Sequence, residues 1–547
     1  MASLQPLSVS ALGHRRAAHL LRRTSFRYTR ARVDQLAAMP ADKAVSALLQ
    51  PYSLRKQQPV YPGSNGNVTW LLPPGQSQPA EDGVLRRYVM GWWVSEALHD
   101  EGIVHRMMLF LHQHLIVTAN ASNNTHFFDY LALLRWAALG NFKKLATKMV
   151  TDNSMLRYLN NQQNTKTNPN ENFAREFFEL FTIGKGPQIG PEDYTHYTEH
   201  DIVQAARVFT GFRVRSQRDM VDPETGIPRG NPVISQHDTG SKTFSSKFQH
   251  TTIQGATTAT GMWTELNAFV DMVFAQPEVA RLFCRRMYRF FVGRHITPEI
   301  ESDIIEPLAQ TFRASGYEIK PVLQQLLQSR HFYDEDDAET GDEIIGGMIR
   351  SPLDTTLQML SFFDVPLPNP ETDPKGHYED LCSLGILQRV GLSAGFPLFF
   401  ASDVAGYPAY YQEPEYSRQW FNSSTIIARY KFPEQLLTGR MRLGANPNLR
   451  VFFQLDIVLW VRNSGFFSNP ADPHALVEEL LRYLLPAPIS ADRFNYFYED
   501  VFLNHLPPYD WTDEWQTYLQ TNNATEVRIP LERLLKAVLY SQEFQTF

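Results

Sequence analysis

Apolar residues recur through most of the chain at the three- and four-residue spacing that is typical of amphipathic helices. The clearest examples are residues 85–99 and 103–115. Between residues 212 and 261 the pattern changes to short alternating segments with clusters of Gly, Pro, Thr and Ser, which favour a hairpin or an irregular loop. We therefore expect a mainly α fold, a large multi-helix assembly with a small β-hairpin or loop excursion near residues 212–261.

The length of the chain indicates more than one packing unit. With 547 residues, of which 43% are hydrophobic, the chain can bury a large core and exceeds the usual size of a single domain. We expect a helical core at residues 1–345, which contains the loop excursion, and a C-terminal helical part at residues 346–547. An aromatic loop rich in Gly and Pro, residues 391–421, belongs to the second part. The two parts are expected to pack on each other as one unit.

Residues 168–181 are the most informative segment, because they combine a clear helix start with several charged side chains. Asn168 is placed to cap a helix, and Pro169 suits the first helical position. At about 100° per residue, one face of this helix is apolar. That predicted stripe contains Phe173, Phe177, Leu180 and Phe181.

Three polar side chains, those of Asn172, Glu176 and Glu179, follow one edge of the stripe. Arg175 lies nearly opposite the stripe, with Glu179 within reach one helical turn later. Carboxylates that border a buried face need a partner, which can be an arginine, a hydrogen-bond network or a metal ion. Glu176, Glu179 and Arg175 are therefore candidate catalytic residues, and the two glutamates are also candidate metal ligands. Asn170 and Asn172 are candidate binding residues in the same motif.

A His-Gln-His sequence places His112 and His114 at the end of a predicted helix. If the helix includes both, the imidazoles flank its apolar stripe at about 80° on either side and cannot easily share one metal ion. If the helix ends near Leu111 and the chain extends, both rings face the same way and can chelate. Two interpretations stay open: hydrogen-bonded core histidines, or a role as acid–base groups or as metal ligands that join Glu176 and Glu179.

A second group, His237, Asp238 and Lys242, falls in the loop excursion. A His-Asp pair on a glycine-containing loop can bind a metal or transfer a proton, so these three residues are further catalytic candidates. The alternative is an Asx-type turn, in which Asp238 accepts hydrogen bonds from the local backbone.

Composition excludes several classes of protein. The net charge of −7 and the pI near 6.2 give no basic footprint for nucleic acid. No apolar run is long enough for a transmembrane segment, and residues 1–9 lack the pattern of a secretion signal, which predicts a soluble, cytoplasmic protein. Cys284 and Cys382 lie in apolar surroundings and are expected to be buried free thiols. Nucleophile-elbow, dinucleotide, zinc-protease and EF-hand motifs are missing from the sequence.

These motifs together match a known family. The strongest is Pro169 to Glu176, with the sequence Pro-Asn-Glu-Asn-Phe-Ala-Arg-Glu. Further segments that match are residues 19–26, 107–114, 197–199, 206–211, 237–244, 403–408, 420–425 and 539–545. Over nearly its whole length the chain resembles the bacterial family described as domain of unknown function 1800.

The resemblance implies no established activity. It implies a protein of a family whose members are often exported and often encoded beside another uncharacterised family. This chain departs from the family pattern because it has no obvious signal and has Gly406-Tyr407-Pro408 where glycine-tryptophan-proline is expected. An insertion, residues 409–419, then separates this tripeptide from Trp420. Tyr407, Trp420 and Asn422 are candidate binding residues, and the departure puts ligand contacts of this loop in question.

Two functions fit these residues. The first is a metal-assisted or acid–base enzyme with a Glu/His/Arg centre and an unidentified cofactor, for which a divalent metal is one option. The second is a non-catalytic scaffold or binding protein, in which the same residues form a buried salt-bridge network around Arg175 and Arg207. The aromatic loop would then offer exposed Tyr and Trp side chains to a partner protein or polymer.

Overall fold

The computed structural model describes residues 2–72, 75, 77–337, 344–439, 441–442, 450–451 and 453–547, and it is mainly α-helical. The predicted fold class is confirmed. The α-helices are α1 (Gly13–Thr24), α2 (Arg30–Ala37), α3 (Ala41–Leu48), α4 (Asp82–Ala97), α5 (Val104–His114), α6 (Asn124–Ala137), α7 (Phe142–Met149), α8 (Asn153–Tyr158), α9 (Asn172–Glu176), α10 (Glu199–Val208), α11 (Ala259–Phe274), α12 (Pro277–Phe291), α13 (Pro298–Ile300), α14 (Glu306–Ala314), α15 (Ile319–Leu327), α16 (Pro352–Phe362), α17 (Thr425–Thr438), α18 (Ile457–Asn463), α19 (Pro473–Leu484), α20 (Ala491–Asn495), α21 (Pro508–Thr521), α22 (Thr525–Tyr540) and α23 (Gln542–Gln545).

Other helical segments are wider or tighter than an α-helix. The wider, π-helical segments are Phe177–Thr182, Glu301–Ile305, Lys375–Leu392 and Tyr496–Leu503. The 3₁₀ turns are Ala119–Ala121, Asn161–Gln163, Ile234–Gln236, Ser246–Phe248, His331–Tyr333, Pro408–Tyr410 and Tyr416–Trp420.

Strands occur only as short antiparallel pairs within the described part of the chain. The pairs are β1 (Tyr61–Gly63) with β2 (Gly66–Val68), β3 (Gln188–Gly190) with β4 (Asp193–Tyr194), β5 (Phe212–Arg213) with β6 (Asn231–Pro232), β7 (Lys242–Thr243) with β8 (Thr252–Ile253), and β9 (Met441–Arg442) with β10 (Arg450–Val451). Two of these pairs, β5–β6 and β7–β8, form the predicted excursion between residues 212 and 261.

Local sequence explains where α10 begins and ends. Thr198 caps the helix, and Thr198 and Asp201 form a capping box in which each side chain accepts from the other's backbone N–H. Beyond the helix, Gly211 has a φ of +83°, a conformation that glycine adopts without strain.

One hydrophobic cluster contains buried residues from both predicted parts of the chain. Helix α4 packs against the long π-helical segment Lys375–Leu392, which belongs to the C-terminal part. The approach is close because Gly91 has no side chain: a Cβ there would lie 1.9 Å from the carbonyl oxygen of Tyr378. Cys284 and Cys382 are buried free thiols, as predicted. None of the described helices is both long enough and apolar enough to cross a lipid bilayer.

Candidate functional site

The motif helix begins four residues later than the predicted cap. Residues Thr165 and Asn168 pair with each other in a tight turn, which occupies Asn168. The side chain of Asn170 instead accepts the backbone N–H of Asn172 at 3.0 Å, and α9 begins at Asn172. The Asn172 amide donates to the carbonyl oxygen of Leu159 at 3.3 Å. Both asparagines therefore position the start of this helix.

After Glu176 the helix widens into the π-helical segment Phe177–Thr182. The backbone N–H groups of Ile183 and Gly184 both donate to the carbonyl oxygen of Phe178, at 3.1 and 2.8 Å. The wider turn changes which side chains face the core: Phe178 is fully buried, whereas Leu180 is only partly buried. Single π-turns inside helices are frequent at functional sites.

Arg175 does not pair with the glutamate that follows it by one turn. Its two terminal nitrogens each donate at 2.7 Å to the carboxylate of Glu199 on α10, and Glu171 lies 3.6 Å away. Tyr194 also donates to Glu199, at 3.0 Å. Because the arginine is held by Glu199, it forms no ion pair with Glu176 or Glu179 in the described residues.

Glu176 is a half-buried carboxylate without a hydrogen-bond or ion-pair partner among the residues that the structure describes. Burial raises the pKa of the Glu176 carboxyl to about 7, and the negative charges of Glu179 and Asp403 act in the same direction. The nearby positive charge of Arg175 opposes this rise. Glu176, Glu179 and Asp403 are named the carboxylate cluster below.

Glu179 differs from Glu176 because it has polar neighbours. The hydroxyl of Tyr197 donates to the Glu179 carboxylate at 3.3 Å, and the ammonium group of Lys185 lies 4.0 Å from it. Glu179 therefore has polar partners, whereas Glu176 has none among the described residues.

Asp403 comes to the cluster from the aromatic loop, and it is exposed. Burial raises the pKa of the Tyr158 and Tyr411 phenols, and the negative charge of Asp403 raises both pKa values further. The charge of Glu176 also raises the pKa of Tyr158. The carboxylate cluster therefore lies among phenol groups that stay protonated at neutral pH.

His112 is buried between two tyrosines and lies in α5. The Tyr130 hydroxyl donates to the carbonyl oxygen of Leu115 at 2.8 Å, so it accepts from Nδ1–H of His112 at 2.8 Å. The Tyr407 oxygen accepts the backbone N–H of Phe399 at 2.7 Å and donates to Nε2 of His112 at 3.0 Å. Burial lowers the pKa of His112 to about 3, so the ring is neutral and both nitrogens have partners.

His114 points in another direction, because α5 continues through both histidines. Its Nε2 contacts the carbonyl oxygen of Phe181 at 2.9 Å, and its Nδ1 contacts Arg286 at 3.2 Å. Burial and the charge of Arg286 hold the pKa of His114 well below its usual value. Helix α5 thus includes both histidines, and the rings of His112 and His114 point in different directions. His114 connects α5 to the π-helical segment through the carbonyl oxygen of Phe181.

Gln113, between the two histidines, holds the tip of the aromatic loop. Its side chain accepts the backbone N–H of Tyr407 at 2.7 Å and donates to the carbonyl oxygen of Ala405 at 3.3 Å. Gly406 has a φ of +99°, and a Cβ on it would lie 2.4 Å from the Gln113 amide. The His-Gln-His segment and the Gly-Tyr-Pro segment thus pack directly against each other.

The aromatic loop does not expose the side chains that a recognition surface would need. Tyr407 and Trp420 are each only 3% exposed. Asn422 is exposed, but its side chain accepts the backbone N–H groups of Ser424 and Thr425, at 2.9 and 3.1 Å, where α17 begins. The expectation of exposed aromatic side chains at these positions is therefore not met.

His237 and Lys242 form a buried network around Glu265 of α11. The Glu265 carboxylate lies 2.8 Å from Nε2 of His237 and 2.6 Å from Nζ of Lys242, and it accepts the backbone N–H of Ala256 at 2.6 Å. Nδ1 of His237 lies 2.8 Å from the carbonyl oxygen of Thr210. Burial lowers the pKa of Lys242. This network connects the loop excursion to α10 and α11.

Asp238 lies at the edge of this network. It forms the predicted Asx-type turn, since its side chain accepts the backbone N–H of Gly240 at 2.8 Å. It also pairs with Arg207 through two contacts of 2.8 and 3.1 Å. The ion pairs of Arg175 and Arg207 are therefore separate, each partly exposed and each with one principal carboxylate partner.

The described residues contain no group of three or more His, Cys, Asp or Glu side chains arranged to hold a metal ion. The ring nitrogens of His112 and His114 are already engaged by tyrosine, arginine and backbone groups. The sequence-predicted metal ligands are thus not brought together as one ligand set.

A family model described as "Protein of unknown function (DUF1800)" matches residues 19–546, almost the whole chain. The chain belongs to the DUF1800 family. Comparison of this DUF1800 protein with curated proteins and with solved structures found no match.

Glu199, Asp403 and Glu265 were not among the site residues predicted from the sequence, although Glu199 and Asp403 lie in segments that match the family. A signal was present for Glu265, since it shares one face of α11 with the buried Met262 and Phe269. A charged residue on an apolar helix face needs a buried partner. Asp403 lies in an irregular loop, where no helical face indicates which side chains are buried.

Proposed function

We propose that the protein is an acid–base enzyme in which Glu176 exchanges a proton with the substrate, beside the charged neighbours Glu179 and Asp403. One observation carries the proposal: a half-buried carboxyl without a partner has a pKa raised to about 7 next to other carboxylates. A general acid or base works best when its pKa is close to the working pH. With a pKa of about 7, the donor and acceptor forms of the Glu176 carboxyl are both present near neutral pH.

The surroundings support the same chemistry. Catalytic carboxyl groups are commonly tuned by burial and by a second carboxylate, which separates their pKa values and so their roles. Glu179 contacts a hydroxyl and an ammonium group, whereas Glu176 contacts neither. Glu176 is then the proton carrier, and Glu179 is the group that stabilises positive charge developing on the substrate.

The charge of the cluster limits the class of substrate. The charges of Glu179 and Asp403, and that of Glu176 when it is ionised, repel an anion, so we infer a neutral or cationic substrate rather than a phosphate ester. The phenols of Tyr158 and Tyr411, whose pKa values are raised, would remain protonated. The Tyr411 hydroxyl is hydrogen-bonded to Asp403, which leaves Tyr158 to donate to a polar substrate. A neutral substrate with hydroxyl or ester oxygens fits this donor.

The scaffold alternative applies to the remaining candidates. His112, His114, His237 and Lys242 are fully buried, and each is hydrogen-bonded or ion-paired to groups that hold two elements together. We therefore propose a structural role for these four residues and confine the proposed chemistry to the carboxylate cluster.

The test is a comparison of Glu176→Gln with Glu192→Gln, because Glu192 is an exposed glutamate outside the cluster. Hydrolysis of neutral chromogenic glycosides and esters is measured against that of a chromogenic phosphate monoester. We expect turnover of a neutral probe, a limb near pH 7 in the profile of kcat/KM, and a loss of about 100-fold or more in kcat for Glu176→Gln only. Wild-type activity in Glu176→Gln, or a preference for the phosphate ester, would contradict the proposal.

A further inference from the structure

A cavity of about 550 Å³ lies between α1, near the start of the chain, and α19 with the segment that follows it. Small-molecule sites in proteins are usually cavities of about 300 to 1,000 Å³ with mostly apolar walls and a few convergent polar groups. This cavity has no residue in common with the carboxylate cluster, so its role is independent of the function proposed above.

The walls of the cavity are mainly apolar. They include Ala18 of α1 and Leu481 of α19, and then a turn that contributes Leu485, Pro486 and Ile489. Leu481 and Leu485 are buried, at 4% and 3% exposure, so they form the floor rather than the rim. A ligand in this space would remove apolar surface from water, which is favourable in proportion to the area buried.

Two arginines supply the charge, one from each wall. Arg15 lies on α1 and Arg482 on α19. Neither guanidinium has a hydrogen-bond or ion-pair partner in the part of the chain that the structure describes. One carboxylate, that of Glu478, also lines the cavity, and it is 3.8 Å from the imidazole of His474. The unpaired positive charge of the lining therefore comes from the two arginines.

His14 adds a polar atom with no partner. Its Nε2 is buried, lies at the lining of the cavity and has no hydrogen bond among the described residues, while its ring packs edge-on against Tyr483 at 4.4 Å. Burial lowers the pKa of His14 to about 4, and the charge of Arg482 acts in the same direction. The ring is then neutral at pH 7, so a bound polar group could satisfy this nitrogen without a change of charge.

We propose that this cavity binds a small amphipathic carboxylate of the fatty-acid type. The apolar chain lies along Ala18, Leu481 and Leu485, and the carboxylate lies between Arg15 and Arg482. Arginine binds carboxylates through paired, charge-assisted hydrogen bonds, and two unpaired arginines on facing walls suit one such group. The apolar walls select against a fully polar anion such as inorganic phosphate.

Isothermal titration calorimetry of the full chain with hexanoate, octanoate and decanoate, each below its micelle concentration, tests the proposal. Affinity should increase along the series, by at most about fourfold for each added methylene group. Octanamide and octylammonium have the same chain without the negative charge, and both should bind at least tenfold more weakly than octanoate.

Arg482→Glu should weaken octanoate binding by tenfold or more. Arg55→Glu is the matched control, because Arg55 is exposed, has no side-chain partner and lies outside the cavity. Ala18→Leu, which keeps helix propensity and fills the space, should weaken binding of decanoate more than that of hexanoate. Circular dichroism melts identify any variant that fails to fold. The proposal is overturned by absent binding at millimolar octanoate, by equal binding of octylammonium, or by equal effects of the two arginine variants.

Discussion

Glu176→Gln should make the protein less sensitive to rising pH. In the folded protein the pKa of Glu176 is raised from 4.5 to about 7, so folding disfavours the charged form. This carboxyl leaves the free energy of unfolding unchanged below about pH 4.5 and lowers it progressively between about pH 4.5 and 7. Above that range the reduction is constant. Glutamine carries no charge at any of these pH values, so the variant lacks this part of the pH dependence.

The magnitude follows from the size of the shift and from exposure. A difference of about 2.5 in pKa corresponds to about 3.4 kcal/mol for a fully buried group. Because Glu176 is only about half buried, screening by water reduces this to about 1 kcal/mol. At about 2.1 cal/mol/K per residue, 547 residues give an unfolding entropy of about 1.1 kcal/mol/K. The expected change in Tm is therefore about 1 °C.

Differential scanning calorimetry at pH 5 and pH 8 measures this difference for the wild type, Glu176→Gln and the exposed control Glu192→Gln. The informative quantity is the change with pH in the Tm of the variant minus that of the wild type. It should increase by about 1 °C for Glu176→Gln and stay constant for the control, whatever the packing cost of glutamine. A constant difference for both variants would refute the raised pKa and, with it, the role given to Glu176.

Three further predictions concern the packed polar contacts. Glu265→Gln should destabilise the protein by about 3 to 5 kcal/mol, because it removes the negative charge that faces the buried Lys242. The control Glu514→Gln changes an exposed side chain and should alter the free energy of unfolding by no more than about 0.5 kcal/mol. Equal denaturation midpoints for the two variants would count against a buried charge network. Gly406→Ala and Gly66→Ala both place alanine at a positive φ, but only at position 406 would the new Cβ lie 2.4 Å from another side chain. Gly406→Ala should therefore lower the Tm more than Gly66→Ala does. Equal Tm values for the two variants would show that the close contact relaxes. Tyr407→Phe removes the hydroxyl that is hydrogen-bonded to Nε2 of His112 and to the backbone N–H of Phe399. The free energy of unfolding, measured by urea titration, should fall by about 1 to 3 kcal/mol. An unchanged free energy of unfolding would mean that water replaces the hydroxyl.

The helical fold could be predicted because it depends on local information. Apolar spacing identifies α4 and α5, and the residues Thr198 and Asp201 identify the start of α10, since a capping box is formed within four consecutive residues. The same reasoning misplaced the start of the motif helix by a few residues, because a turn between Thr165 and Asn168 competes for Asn168. It also assumed an α-helical period, whereas the widened turn after Glu176 changes which side chains face the core.

The candidate site depended on partners that are distant in sequence. The motif placed Glu176 and Glu179 at the edge of a buried face and Arg175 nearly opposite that face, with Glu179 within reach of the arginine. The structure pairs Arg175 with Glu199, which lies 24 residues away and on another helix. Whether a carboxylate is paired or unpaired depends on which helix packs against it, and a nearby cation or hydrogen-bond donor opposes the rise in pKa that burial causes.

The sequence by itself determined the residue types, the helical faces and the polar residues that must be satisfied once buried. The tertiary structure alone decided how they are satisfied. The Tyr407 hydroxyl is hydrogen-bonded to His112, although the two residues are 295 positions apart in the sequence. The charge of Asp403 acts on Glu176, and Glu265 contacts both His237 and Lys242. Periodicity describes one helix at a time, whereas the charge and hydrogen-bond partners of a buried group come from every element packed around it.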